Sequence, residues 1–163
     1  MKYFKNIETL EELKKAYKKL ALKLHPDVNK DQDTTEQFKE MQNEYEIIFE
    51  QVKNKHKNAQ GTIYEKATEE TMNEFKDIIN SIIGFKDCTI DIIGSWVWVA
   101  GNTKEYKDIL KGLKFRWIKS KSAWAFHKEP FRKRTKKEYS INDLKEMFGS
   151  VSIKIEEKEA LNA

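Results

Sequence analysis

Two apolar stripes of helical period run through the first third of this chain, and a single proline stands between them. In TLEELKKAYKKLALKL, Leu10, Leu13, Tyr17, Leu20, Ala21 and Leu24 recur every three or four residues. That spacing gathers them on one face of a helix expected over residues 10–24. Thr9 followed by Glu12 is the capping-box signature for its start. The stop is abrupt: His25, Pro26 and Asp27 follow directly. A proline has no N–H to give a helix and pushes the residue before it into extended backbone. A second start, Thr34 with Gln37 three residues on, opens the stripe Phe38, Met41, Gln42, Tyr45, Ile48, Phe49 and Val52. A second helix is expected over 35–55. Two antiparallel helices joined by a polar loop, an αα-hairpin, bury both stripes at once.

The segment KNKHKNAQG, 53–61, is polar throughout and reads as a helix end running into a linker. A third amphipathic helix is expected over 68–83, with Met72, Phe75, Ile79, Ile82 and Ile83 on one side and Gly84 as its stop. Beyond it the period changes from 3.6 to 2. CTIDIIGSWVWVAG reads as two strands joined by Gly94-Ser95, a two-residue hairpin turn. Asn102 opens a short helix over 103–113, and FRWIKSKSAWAFHK is a second hairpin turning at Ser120-Lys121. Ser140 with Asp143 starts a last short helix ending at Gly149, and VSIKIEE is a candidate final strand. The expected fold is a helical hairpin followed by a small α+β domain with a ββαββ-type sheet. The boundaries read as 1–58 for the hairpin domain, 59–67 for a linker and 68–163 for the α+β domain.

Composition narrows the class. Charged residues make up 36% of the 163, yet Phe, Trp and Tyr reach 12%, too many for a disordered chain. The length suits two modest cores. The one cysteine, Cys88, allows no intrachain disulfide and no cysteine-based zinc site, which fits a reducing compartment. MKYFKNIE holds no apolar signal segment and no apolar run reaches 18 residues, so a cytoplasmic protein without a membrane span is expected. His25 has no serine or cysteine nucleophile near it in sequence, and His127 has no companion metal ligands. No catalytic residues, metal or cofactor are expected, and the chain reads as a non-enzyme.

A basic helix, an abrupt His-Pro-Asp turn and a second helix starting about ten residues later resemble the J domain of DnaJ/Hsp40 co-chaperones. The likeness covers residues 2–55 and is carried by LKKAYKKLALKLHPDVNKD and FKEMQNEYEII. Tyr17, Leu20, Phe38 and Tyr45 fall where that family places core residues. KYFKNIET stands where the family generally has a D-Y-Y-x-x-L-G-V-type segment; Tyr3, Phe4 and Ile7 supply apolar side chains, but the glycine is missing. The resemblance implies binding to a DnaK-type Hsp70 and stimulation of its ATPase. It implies docking through His25, Pro26 and Asp27 and through Lys14, Lys15, Lys18, Lys19 and Lys23 on the preceding helix. The chemistry suits that role. A carboxylate at Asp27 can take a partner arginine bidentately, and a lysine face meets an acidic surface mainly by speeding association. Longer relatives carry a Gly/Phe-rich linker, a cysteine zinc module and tandem β domains. With six glycines and one cysteine, this chain resembles the specialised J proteins, whose second domain decides where Hsp70 is delivered.

All four tryptophans lie between residues 96 and 124. With the first hairpin turning at Gly94-Ser95, Ile93 faces Trp96 and Asp91 faces Trp98, while Ile90, Ile92, Val97 and Val99 take the opposite side. In the second hairpin Phe115, Trp117, Trp124 and Phe126 share one side and are expected in the core. Arg116, Ile118, Ala123, Ala125 and His127 share the other, expected to lie open beside Trp96 and Trp98. From Arg116 to Lys137 nine basic residues stand against the single acid Glu129. Aromatic side chains beside a basic loop hold single-stranded nucleic acid by stacking bases and pairing phosphates. The candidate target or nucleic-acid residues are Trp96, Trp98, Arg116, Lys119, Lys121, Arg132, Lys133, Arg134, Lys136 and Lys137. The stretch 88–130 also resembles Trp-containing hairpin modules of phages and mobile elements of Gram-positive bacteria, several of which follow a J domain. Three readings stand: an Hsp70 adaptor for a protein target, a nucleic-acid-binding protein with an Hsp70-recruiting arm, and a mobile-element protein that diverts host Hsp70 or host defence.

Overall fold

Thr9 begins the first helix as its sequence predicts: its hydroxyl accepts from the Glu12 amide at 3.4 Å, while the Glu12 carboxylate accepts from the Glu8 amide at 3.0 Å. The computed structural model describes residues 1–94, 96–128, 139–148 and 150–154, and divides into two units, Met1–Gly84 and Phe85–Ala163.

In the first unit, α1 (Leu10–Leu24) and α2 (Thr35–Val52) form the antiparallel hairpin. Leu10, Leu13, Tyr17, Ala21 and Leu24 of α1 are buried, as are Phe38, Met41, Tyr45, Ile48, Phe49 and Val52 of α2. The rings of Tyr17 and Tyr45 meet at 4.7 Å in the centre. No helix precedes α1. Instead the Glu44 carboxylate accepts from the backbone amides of Lys2, Tyr3 and Phe4 at 2.9–3.1 Å. Those three amides lay the opening segment along α2 and sink Phe4 beside Tyr45, ring centroids 6.1 Å apart.

The stretch expected as linker carries a small antiparallel hairpin, β1 (Lys55–Lys57) and β2 (Ile63–Glu65). Its turn is held by polar groups. The Asn58 side-chain oxygen accepts from the amides of Gln60 and Thr62 at 3.1 and 2.8 Å. The buried His56 reaches Glu11 of α1. No apolar alternation marks this hairpin, so polarity concealed it.

Helix α3 (Met72–Ile82) starts at a Thr71–Glu74 capping box, and the same reciprocal pair joins Ser140 and Asp143. The sequence placed α3 with the C-terminal domain. In the structure it packs on the helical hairpin, and the division between units falls after Gly84. Phe75, Ile79 and Ile82 are fully buried, Phe75 lies 6.0 Å from Tyr17, and Lys76 pairs with Glu46 of α2 at 2.7 Å.

The second unit holds β3 (Cys88–Ile93), β4 (Trp96–Gly101), α4 (Lys107–Gly112, preceded by a 3-10 turn), β5 (Arg116–Ile118), β6 (Ala123–Phe126), α5 (Ile141–Phe148) and β7 (Ser150–Lys154). The strands form one antiparallel sheet in the order β5-β6-β4-β3-β7. The register pairs Ile93 with Trp96 and Asp91 with Trp98, as the hairpin reading requires; Ser95, its second turn residue, lies outside the described residues. Asn102 was the expected cap of the fourth helix, but Thr103 precedes the 3-10 turn there. Its hydroxyl accepts from Trp124 Nε1 at 3.2 Å. Gly101 (φ 99°) is obligatory at the end of β4, because a Cβ there would stand 2.5 Å from the Asp87 carbonyl oxygen.

One sheet face presents Ile90, Ile92, Val97, Val99 and Trp124, all buried, as are Leu110 of α4 and Phe115. On the other face Ile93, Trp98, Ala123 and Ala125 form a core cluster with Trp96, Ala100 and Ile118, roofed by Ile141 and Leu144 of α5. Lys145 of α5 pairs there with the buried Asp91 at 3.2 Å. This face, expected to be open, is covered.

Candidate functional site

The turn after α1 is built around the histidine. His25 N–H donates to the Ala21 carbonyl at 2.7 Å, closing the last helical turn. Its own backbone is extended (φ −64°, ψ 130°), the conformation a following proline demands. The His25 carbonyl then gathers three donors: the Val28 and Asn29 amides at 3.1 and 3.0 Å and the Asn29 side chain at 3.1 Å. The loop therefore folds back on a single acceptor.

The imidazole has a defined state. The Asp27 amide donates to His25 Nδ1 at 3.2 Å, so Nδ1 is an acceptor and the ring is the neutral tautomer carrying its proton on Nε2. Burial pushes the His25 pKa below its ordinary value, against the opposing charge of Asp27. The 3.8 Å approach of Nδ1 to the Asp27 carboxylate is thus proximity without an ion pair. The ring meets Phe38 of α2 edge-on at 5.0 Å. Beside it, the Asp27 side chain is 78% exposed, a carboxylate held out on a turn that is itself pinned.

One further residue fixes this turn to α2. Thr34 was expected to cap α2; its side chain makes no capping bond. Its buried hydroxyl donates instead to the Leu24 carbonyl at 2.6 Å, satisfying one of the orphan acceptors at the end of α1. Asp33 takes over part of the cap, accepting from the Thr35 amide at 3.1 Å. Thr34, Asn29 and Phe38 thus support the loop. Sequence flagged Thr34 only as the cap of α2 and Phe38 only as core, and did not single out Asn29.

The five lysines do not form one open face. Lys14 and Lys18 are 3% and 2% exposed. Lys14 pairs with the buried Glu70, just ahead of α3, and its ammonium sits 5.1 Å over the Phe75 ring. Tyr17 on the same face donates to the Asn80 side chain at 3.1 Å. Lys15 is half-buried, and burial lowers its pKa against the raising effect of Glu11 and Glu12. Lys19 and Lys23 are exposed. The expected docking face is therefore half covered by α3 and the segment leading into it.

Among the C-terminal candidates, Trp98 is 6% exposed and belongs to the roofed cluster. Trp96 is half-buried and stacks on His127 at 4.6 Å. Neither lies on an open face, because α5 occupies that side. Arg116 and Lys119 are exposed and Lys121 is half-buried. Arg132, Lys133, Arg134, Lys136 and Lys137 lie outside the described residues. Trp117, expected in the core, is 48% exposed. It shares the register side of Trp124, but on a three-residue edge strand.

Comparison with known proteins agrees with the geometry of the first unit. The DnaJ domain family matches residues 4–58. The chaperone protein DnaJ of Geobacillus stearothermophilus is 52% identical over 48 residues, which are 29% of this chain and 13% of that protein. The DnaJ of Mycoplasmoides gallisepticum is 49% identical over 47 residues, 29% of this chain and 12% of that protein. The mitochondrial DnaJ homolog 1 of Saccharomyces cerevisiae is 49% identical over 49 residues, 30% of this chain and 10% of that protein. The chain thus spans about an eighth or less of the length of these relatives. No solved structure matches it. The matched segment ends before α3, so the helix whose Phe75 lies under the Lys14 ammonium is outside the shared region. Residues 4–58 of this chain, with their pinned His25-Pro26-Asp27 turn between two antiparallel helices, are a J domain of the DnaJ family.

Proposed function

We propose that this chain is a co-chaperone that binds a DnaK-type Hsp70 through its J domain, stimulates the partner's ATPase, and brings it to a target held by the C-terminal unit. The observation that carries this reading is the state of the turn. Asp27 offers an exposed carboxylate on a backbone fixed by a neutral, half-buried His25, a ready partner for an arginine. Lys19 and Lys23 add exposed positive charge to the same helix, which would steer association with an acidic surface. The chain acts here as a regulator of another protein's hydrolysis, in the cytoplasm, with no cofactor of its own.

The test is the steady-state ATPase of a DnaK-type Hsp70 with the full chain. Wild type is expected to accelerate turnover, and Asp27→Asn and His25→Gln to abolish the effect while circular dichroism shows the fold intact. Equal stimulation by wild type and Asp27→Asn, or none by wild type, would overturn the reading. Refolding of a denatured client separates a productive co-chaperone from a chain that only occupies Hsp70, because the latter binds without promoting refolding.

A further inference from the structure

We infer that the β5 edge of the C-terminal sheet, centred on Trp117, is a binding site for single-stranded nucleic acid. Trp117 is 48% exposed, an unusual position for the largest side chain. It sits at the edge of the sheet, so β6 flanks it on one side only. Beneath it the arrangement is rigid. Its ring meets Trp124 at 5.5 Å in a T-shaped contact, and Trp124 is 6% exposed and tied through Nε1 to Thr103. A fixed, half-exposed indole is a ready stacking platform, and little side-chain freedom remains to be lost on binding.

The surrounding charge selects the ligand. From Lys111 to Lys121 the chain reads KGLKFRWIKSK, with Lys111, Lys114, Arg116, Lys119 and Lys121 and no acid. Four of the five are exposed and Lys121 is half-buried. None pairs with a carboxylate among the described residues, whereas Lys14, Lys76 and Lys145 all do. Arg116 lies on the other side of β5 from Trp117, but the four lysines flanking that aromatic in sequence fit a polyanion whose units carry flat rings: phosphates meet the lysines while a base stacks on the indole. A duplex keeps its bases stacked on one another, so a lone surface indole favours unpaired bases. An acidic peptide satisfies the charge but leaves the indole without a stacking partner. This site is not the face expected from sequence, since Trp96 and Trp98 lie on the opposite side of the sheet beneath α5.

The proposal stands on the C-terminal unit alone, and its test does not involve Hsp70. A fluorescein-labelled oligothymidylate is titrated with the full chain at low salt and followed by anisotropy. Binding is expected, with log affinity falling linearly against log salt. Trp117→Ala should weaken it about five- to a hundredfold, the worth of one stacked base. Trp117→Phe should recover most of that loss, because a ring remains. A double Lys119→Glu, Lys121→Glu variant should reduce the salt slope, and it keeps the test decisive if Trp117→Ala fails to fold. Four results would overturn the site: no binding at low salt, equal binding by a folded Trp117→Ala, equal binding of a duplex of the same length, or full competition by a polyglutamate peptide.

Discussion

The hydroxyl of Thr34 donates to the carbonyl of Leu24 at 2.6 Å, joining the end of one J-domain helix to the beginning of the next across the His25-Pro26-Asp27 turn. Both groups are buried, and the bond spans ten residues of sequence. Thr34→Val keeps the shape of the side chain and removes the donor. The Leu24 carbonyl then loses this buried partner, a loss of about 1–3 kcal/mol. Chemical denaturation should show that drop in stability. Stimulation of Hsp70 should fall as well, although the substituted residue carries no docking group. Unchanged stability would mean that the bond contributes nothing net.

Glu70 lies over part of the α1 lysine face. It is buried against Lys14, and removing one partner of such a pair costs about 3–5 kcal/mol through the charge left behind. For Glu70→Gln the inexpensive escape is detachment of α3, which returns Lys14 to water. Hydrogen exchange across residues 70–83 is therefore expected to speed up more than exchange in α2. Affinity for Hsp70 is expected to rise, as it is for a chain shortened to the J domain. Slow exchange in α3, or weaker Hsp70 binding by a well-folded variant, would show that the covered lysines do not matter for docking.

His56 makes the β1–β2 hairpin sensitive to pH. Its Nδ1 faces the Glu11 carboxylate at 2.9 Å and its Nε2 faces the Lys66 carbonyl at 3.0 Å. Both neighbours are acceptors, so the ring satisfies both only as the imidazolium. The hydrogen bond to Glu11 raises the pKa above the ordinary 6.5, more than burial lowers it. The folded value lies above the unfolded one, so this stabilisation is fully present below about 6.5 and fades as pH rises through the folded value. Exchange protection of residues 55–65 should decline across that window. In His56→Gln the dependence should flatten. A histidine resonance titrating below its unfolded value would contradict the assignment.

Periodicity made much of the fold legible. The helical hairpin, the helix starts at Thr9 and Ser140, and the register of the first β-hairpin all follow from local pattern. What periodicity does not carry is the identity of the neighbour that covers a face. The stripe of α3 is equally suited to a sheet or a helix pair, and only the long-range contacts of Phe75, Glu70 and Lys76 assign it. Lys14 reads as part of a solvated face because its partner Glu70 lies 56 residues away, and Phe75 of α3 farther still. The tryptophans failed in the same way. Their alternation was right, but the covering helix α5 is short, and Trp117 differs from Trp124 only by lying on an edge strand.

Confinement of every tryptophan to the second unit has a practical side. The first unit carries tyrosines at 3, 17, 45 and 64 but no indole. Red-edge excitation of the intact chain therefore lights only the C-terminal sheet, while tyrosine signals report largely on the helices. One unlabelled sample can thus yield two separate melting curves, and a ligand or substitution can be assigned to its own half of the molecule without cutting the chain.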